Sequence, residues 1–320
     1  MIRKIIRSGP ATLSVSLPMN WVKKFKLIKV QEVNVEEQGD SIKIKTSLLI
    51  KEESAKLNIT ELYPLSTKII AMLYRMGYKN IKVIYTPNHV VLHRGKEIKE
   101  LDMIKNTFDH LIGMQLWEIG KDKNENYATV IESTKLNPKE FDNVFNKLYF
   151  HLMHQSEQIY EALSKNKDIF DEAYLVERLI NQTNDFCIKI LISFGHEDPK
   201  KTLNYHEFIL ILESIGDRYF DIAKNYHKNK EIINSETVKY LKKANDFIER
   251  SSSLYRKFDF EKLIQLTNEV YETIDEYKDK LRKNKLKNSL VSHNVYSIFL
   301  ELYKIGELIF NLNHEFFRDE

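Results

Sequence analysis

The residue types most able to do chemistry stand at helical spacing in the C-terminal half. Glu213, Asp217 and Asp221 fall at i, i+4 and i+8, and Glu177, Asn181 and Asp185 repeat that spacing upstream. Each set lies on one face of a helix. If the two helices are antiparallel neighbours, their oxygen ligands meet around a hard cation such as Mg²⁺, Ca²⁺ or Mn²⁺, or around iron. Like charges one turn apart destabilise a helix slightly, and a bound cation relieves that cost. The plainer reading is a solvated acidic face with Arg178 and Arg218 as local counter-charges.

A second chemistry is written at the N-terminus. Arg3, Lys4, Arg7, Lys23, Lys24, Lys26 and Lys29 all precede the first acid, Glu32. The net charge of +3 hides this asymmetry, since seven of the 49 basic residues and none of the 46 acids lie in that head. A cationic head on a mildly acidic body points to a polyanion partner, and the absence of any acid over the first 31 residues favours nucleic acid. Arg3, Lys4, Arg7, Lys23, Lys24 and Lys26 are the expected phosphate contacts, with Thr12 and Ser14 as neutral donors. A symmetric dimer doubles the set, and each phosphate engaged contributes about −0.9 to the salt slope. The alternative is a solvated charged surface.

Other chemistry finds little support. His151 with His154, and His89 with His93, lack a third ligand at recognisable spacing, so structural roles are expected. Cys187 sits in the apolar stretch Phe186–Leu191 and reads as a core residue. As the single cysteine it forms no internal disulfide and no thiolate zinc site, which points to a reducing compartment, the cytoplasm. No phosphate-cradling glycine loop, Gly-x-Ser-x-Gly, His-Glu-x-x-His or Cys-x-x-Cys occurs, and an enzyme is not expected. Neither a signal peptide nor a membrane span is expected.

The elements that must position these residues follow from glycine, proline and hydrophobic period. Six of the nine glycines fall by Gly120, and the last proline is Pro199. A β-containing N-terminal part and a long helical part follow, an α+β multidomain chain. In the head, Leu13, Val15 and Leu17 alternate as a half-buried strand does, after a turn at Ser8-Gly9-Pro10. Pro18 suits the first turn of a short helix carrying Trp21, Val22 and Phe25, and a hairpin turns at Gly39-Asp40. So small a unit makes a thin core and needs a second copy to cover its apolar face.

Residues 58–135 read as mixed α/β: a helix near Leu65–Met76 ending at Gly77, strands at Ile81–Tyr85 and Val90–Leu92, a helix over Glu97–Ile112, and strands near Gln115–Ile119 and Tyr127–Ile131. From Pro138 the period is helical, with six helices at 139–164, 168–194, 200–228, 234–257, 259–284 and 287–317. Short connections make them antiparallel neighbours. Leu212-Glu213-Ser214-Ile215-Gly216-Asp217 recurs as Leu302-Tyr303-Lys304-Ile305-Gly306-Glu307, each in the last helix of a triplet. Glycine inside a helix costs about 1 kcal/mol against alanine, so two at matching places imply close packing within a duplicated unit.

Two stretches carry resemblances. Arg3-Lys4-Ile5 and Ser8-Gly9-Pro10-Ala11-Thr12-Leu13-Ser14-Val15-Ser16-Leu17-Pro18-Met19-Asn20-Trp21-Val22 resemble the N-terminal module of the AbrB/SpoVT/MazE family. That family implies a swapped-hairpin β dimer, here over residues 1–48, that binds DNA. The Ser-Leu-Pro-x-x-Trp-Val form is similar to the variant fused to PhoU-like domains in archaeal proteins. Where the family usually has Leu-Gly-Leu-x-x-Gly-Asp, this chain has Phe25-Lys26-Leu27-Ile28-Lys29-Val30-Gln31.

Leu212–Asp217 likewise resembles the Glu-x-x-x-Asp signature on the third helix of PhoU bundles, where multinuclear metal clusters bind. The resemblance implies a bundle over 139–318 built from repeats at about 139–228 and 234–317. It raises the case for a divalent or ferric ion in the first repeat, held by Glu177, Asp185, Glu213, Asp217 and Asp221. Tyr303 replaces the first acid of the second repeat, which argues against a second cluster there. Together the resemblances imply a cytoplasmic, homodimeric regulator of phosphate uptake, with a DNA-binding head and a sensing or docking bundle. The alternative is an adaptor that restrains a phosphate transporter or signalling protein, its head serving only to dimerise.

Overall fold

The structure is a computed structural model that describes residues 2–27, 32–38, 41–46, 54–93, 96–229, 233–283, 285–286 and 290–317. The chain divides into two compact units, Met1–Glu53 and Ser54–Glu320.

The first unit holds β1 (Ile5–Arg7), β2 (Leu13–Val15), α1 (Met19–Lys24), β3 (Val33–Gln38) and β4 (Ser41–Thr46). β1 pairs antiparallel with β2, Ile5 opposite Val15 and Arg7 opposite Leu13, so Ile5, Leu13 and Val15 share one face. The connecting turn closes on a bond from the Ser8 amide to the Thr12 carbonyl at 3.0 Å. Pro18 stands at the N-cap of α1, one place ahead of the first turn. Its carbonyl accepts from the Val22 amide at 3.0 Å. Trp21 and Phe25 lie 5.4 Å apart on the apolar side of the helix. β3 and β4 form an antiparallel hairpin. Its turn at Gly39-Asp40, and Ile28–Gln31, lie outside the described residues. None of the described side chains of this unit is buried.

The second unit begins with β5 (Ser54–Asn58), α2 (Ser66–Arg75), β6 (Asn80–Tyr85), β7 (Val90–His93), β8 (Lys96–Lys99), α3 (Glu100–Phe108), β9 (Met114–Asp122) and β10 (Glu125–Glu132). A four-stranded sheet has the order β5-β6-β10-β9, with β5 and β6 parallel across the α2 connection and the rest antiparallel. Ile70 and Tyr74 of α2, Met103, Ile104 and Phe108 of α3, and the inward Ile81, Val83, Ala128 and Val130 make its core. Gly77 ends the α2 turn at φ +86, as its position in the sequence requires. β5 is absent from the sequence expectation because Ala55 and Leu57 give only two apolar alternations. The helix expected over Glu97–Ile112 starts instead at Glu100. Residues before it pair with β7, setting Ile98 opposite the buried Val91, so a tertiary ladder overrides helix-forming side chains.

Six long helices follow among the described residues: α4 (Phe141–Ser164), α5 (Phe170–Phe194), α6 (Pro199–Asn229), α7 (Ser235–Arg256), α8 (Phe260–Arg282) and α9 (Leu290–Leu312). Side-chain caps mark two starts: Asn234 Oδ1 accepts from the Glu236 amide at 2.8 Å, and Asp259 Oδ1 from the Lys262 amide at 3.1 Å. One continuous aromatic and aliphatic core runs through all six, from Phe145 and Phe208 to Tyr277 and Phe299. Gly216 of α6 faces α5 so closely that an added Cβ would lie 3.1 Å from Ile180 Cδ1. Gly306 of α9 does the same against α8, 2.6 Å from Thr267 Oγ1. Phe186 of α5 packs against this core and against the α/β core alike. No helix among the described residues is long and apolar enough to cross a membrane.

Candidate functional site

Of the acids singled out by spacing, Glu177, Asp185 and Asp217 stand near enough to Glu213 for their charges to act on it. Glu213 is driven up to about 7, first by burial and then by the charges of Asp217, Asp185 and Glu177. Asp185 is pushed up to about 6 by burial, against the pull of Arg75 and a hydrogen bond from Asn184. Buried carboxyls that share a site hold protons this way because the charged forms lose water and repel one another. Asp221 lies one turn beyond Asp217 on α6. Asn181 Nδ2 donates to Glu177 Oε1 at 2.7 Å, so the amide between the two acids of α5 fixes one of them.

Polar atoms around these acids lack partners. Gln155 of α4 is fully buried with neither Oε1 nor Nε2 hydrogen-bonded. Its Oε1 comes within 3.5 Å of the Cβ position of Gly216, inside the turn that carries Glu213 and Asp217. Asn184, 3% exposed, leaves its Oδ1 unsatisfied. Buried polar groups without partners are rare and costly, and an ion with its waters accounts for several at once. The donor set is all oxygen apart from amide nitrogen, which suits Mg²⁺, Ca²⁺, Mn²⁺ or iron. Oxygen is the donor type a hard cation takes, but among the described residues no three of these carboxylates bring ligand atoms within 4.8 Å of one another.

The counter-charge on the cluster is one that spacing along α5 and α6 did not point to. Arg178 lies over the Tyr174 ring at 5.9 Å, and Arg218 has its Nε buried without a partner. A further guanidinium reaches the acids from Arg75, the last residue of α2, with Nη1 3.5 Å from Asp185 Oδ1. Nothing in the local sequence of Arg75 marks it, because the partner stands 110 positions away. One turn along α5 from Asp185, Lys189 makes a second cross-link, Nζ to Glu132 Oε1 at 2.7 Å, with its side chain 1% exposed. It also lies over the Tyr74 ring at 4.2 Å. A lysine inside the apolar run Phe186–Leu191 was a legible sign of such a pair, since lysine is almost never fully buried alone. A cavity of about 320 Å³ opens where α2 and α3 meet α5, lined in part by Thr67, Asn106, Arg178, Asn181 and Asp185.

In the head, Arg3, Lys4, Lys23, Lys24 and Lys26 are exposed, as is Thr12, while Ser14 is half-buried. Arg7 is exposed too, but its guanidinium folds back to donate to the Gly9 and Pro10 carbonyls at 3.3 and 2.7 Å. That bond stiffens the turn and holds the charge beside it. Lys24 Nζ stands 5.5 Å from the Phe25 ring centre. Lys29 lies outside the described residues.

The weaker sites resolve as structure. His89 Nδ1 is 2.8 Å from the buried Glu100, which also accepts from the Thr86 amide at the start of α3. The His93 side chain lies outside the described residues. His151 is buried, and burial lowers its pKa, keeping the ring neutral. His154 stacks on Phe150 at 6.3 Å. The Cys187 thiol is pushed up by burial and is inert. Asp198, His314 and Glu315 place ligand atoms within 4.8 Å of one another, a grouping not read from the sequence. Lys201 Nζ already sits 3.0 Å from Glu315 Oε1, and the Lys200 amide donates to Asp198 Oδ1 at 3.0 Å.

Set against models of protein families, curated proteins and solved structures, the chain matches none of them.

Proposed function

We propose that the protein is a cytoplasmic, homodimeric DNA-binding regulator whose helical bundle senses a metal ion or docks a partner. The observation that carries this reading is the head. Its strand face of Ile5, Leu13 and Val15 is 69%, 70% and 51% exposed, and none of its described side chains is buried. A unit in that condition is completed by apolar cover. A second copy supplies it, in the swapped-hairpin manner that the resemblance to AbrB-type modules implies. The dimer then presents Arg3, Lys4, Lys23, Lys24 and Lys26 from both protomers to phosphate backbones, with Thr12 and Ser14 as neutral donors. Arg7 acts first through the turn it holds.

In the bundle, the matched close approaches of Gly216 and Gly306, each between the second and third helix of its triplet, support two PhoU-like three-helix repeats. Glu177, Asp185, Glu213 and Asp217 are the proposed metal ligands of the first repeat. A bound cation adds fixed positive charge beside these acids. The process regulated is, by resemblance, phosphate uptake. Metal occupancy or docking alters the geometry of the paired heads, and DNA must change bundle affinity by the same factor in return.

Binding of the full chain, and of a chain starting at Lys51, to promoter duplexes across a salt series tests this. Full-length binding that weakens steeply with salt, absent from the shorter chain, is expected. Equal binding by both would move the function to the bundle and favour an adaptor that restrains a phosphate transporter or signalling protein.

A further inference from the structure

We propose that the cavity between α2, α3 and α5 binds a small monocarboxylic acid, its carboxylate paired with Arg178 and its hydrocarbon body lying on Ala71, Met103 and Leu111. The site borders the acid cluster at Asp185 but depends on neither metal nor DNA binding.

Arg178 is the group that calls for a ligand. It stands half-buried in the cavity wall, and among the described residues its guanidinium makes no ion pair and no hydrogen bond. Its contact is with the Tyr174 ring, one turn earlier on α5, at 5.9 Å. Such stacking holds a guanidinium in place and leaves its fork of N–H donors open. The other cations of this region are satisfied: Arg75 has Asp185 at 3.5 Å, and Lys189 has Glu132 at 2.7 Å. A half-buried charge that has lost part of its water without gaining a bonded partner is costly, and an anion in the cavity removes that cost.

The rest of the lining selects the anion. A planar guanidinium matches a carboxylate through two parallel bonds. Asp109 and Asp185 also line the cavity, so a second negative charge on the ligand is repelled, and a dianion such as hydrogen phosphate is disfavoured. Ala71, Met103 and Leu111 are apolar and reward a hydrocarbon body. Thr67 of α2 and Asn106 of α3 offer a hydroxyl and an amide to a polar substituent. The volume of about 320 Å³ is at the small end of ligand cavities, which suits a branched-chain or aromatic acid. Because α2 and α3 belong to the α/β segment and α5 to the bundle, a bound acid bridges the two.

Ligand-observed NMR titration of the full-length protein with 4-methylpentanoate, benzoate and phenylacetate, beside their primary amides and inorganic phosphate, tests this. At least one acid is expected to bind with a Kd of about 1 mM or tighter, and its amide about tenfold more weakly. Arg178→Gln should weaken that acid by about 10–100-fold, the scale of a charge-assisted hydrogen-bonded pair, and bring it level with the amide. Ala71→Phe fills the cavity with Arg178 in place and should abolish binding, while thermal melting checks that both variants remain folded. The comparison of acid with amide needs no variant at all. Equal binding of acid and amide, or an acid unaffected by Arg178→Gln, would overturn the pairing. Phosphate binding more tightly than every acid would overturn the ligand class, and no acid binding as tightly as about 1 mM would overturn the site. Promoter binding by the head is read in a separate titration, so its failure and the failure of this site are distinguishable.

Discussion

Glu213 concentrates the tension of the site. Its carboxyl titrates at about 7 in the folded chain against an ordinary 4.5, because burial and three neighbouring acids disfavour its charge. A raised folded pKa means that the native state holds the proton more tightly. The associated stability is fully present below about pH 4.5 and is lost as pH rises through 7. Without metal, Glu213→Gln should therefore stabilise the protein at pH 8, on the order of 1 kcal/mol, with the gain shrinking to nothing near pH 4.5. Thermal unfolding at the two pH values reads this, and a gain that persists unchanged at pH 4.5 would refute it. Lys189 makes the opposite case. Lys189→Ala leaves Glu132 with Lys79 at 3.9 Å as its remaining cation and should cost up to about 3 kcal/mol, whereas Lys189→Met with Glu132→Gln should recover most of that loss. Denaturant midpoints of the single and double variants measure it.

At the scale of elements, the helix pairs are set by close backbone approach. Gly306→Ala brings a Cβ to 2.6 Å from Thr267 Oγ1, a hydroxyl already donating to the Leu263 carbonyl at 2.8 Å. The clash should cost about 1–3 kcal/mol and outweigh the helix propensity that alanine gains. Adding Thr267→Ala should return stability towards the wild type, and the double-mutant cycle gives the coupling. Additive effects would show that the two helices do not meet there. The six helices were legible because apolar positions recur every three to four residues over 20 or more residues, and their ends agree with the structure to within a few positions. The α/β segment was read less well. β5 and β8 are short, and pairing with β6 and β7 makes them strands rather than any propensity of their own.

For the whole molecule, the exposed strand face of the head is the feature that an isolated chain leaves unfinished. If a second copy covers this face as proposed, Leu13→Glu should place a charge there, dissociate that dimer and abolish DNA binding, while the two cores of Ser54–Glu320 keep the melting behaviour of that unit. Sedimentation of the variant decides it, and a dimer that persists would locate the dimer interface elsewhere. Replacing Lys23 and Lys24 with alanine should leave the dimer intact and make the salt slope shallower by about 0.9 for each phosphate that the head no longer neutralises.

By itself the sequence determined where the charge lies, which segment is helical, and that Glu177, Asp185, Glu213 and Asp217 share helix faces. Each of these is a local property, carried by periodicity and composition over a few turns. Only the tertiary structure decided which faces meet and how deeply the acids are buried. It alone supplied Arg75, because a counter-charge from a helix 110 residues away leaves no trace in the spacing of the acids it serves. Burial sets the protonation of a carboxyl, and burial is a sum over neighbours distant in the chain.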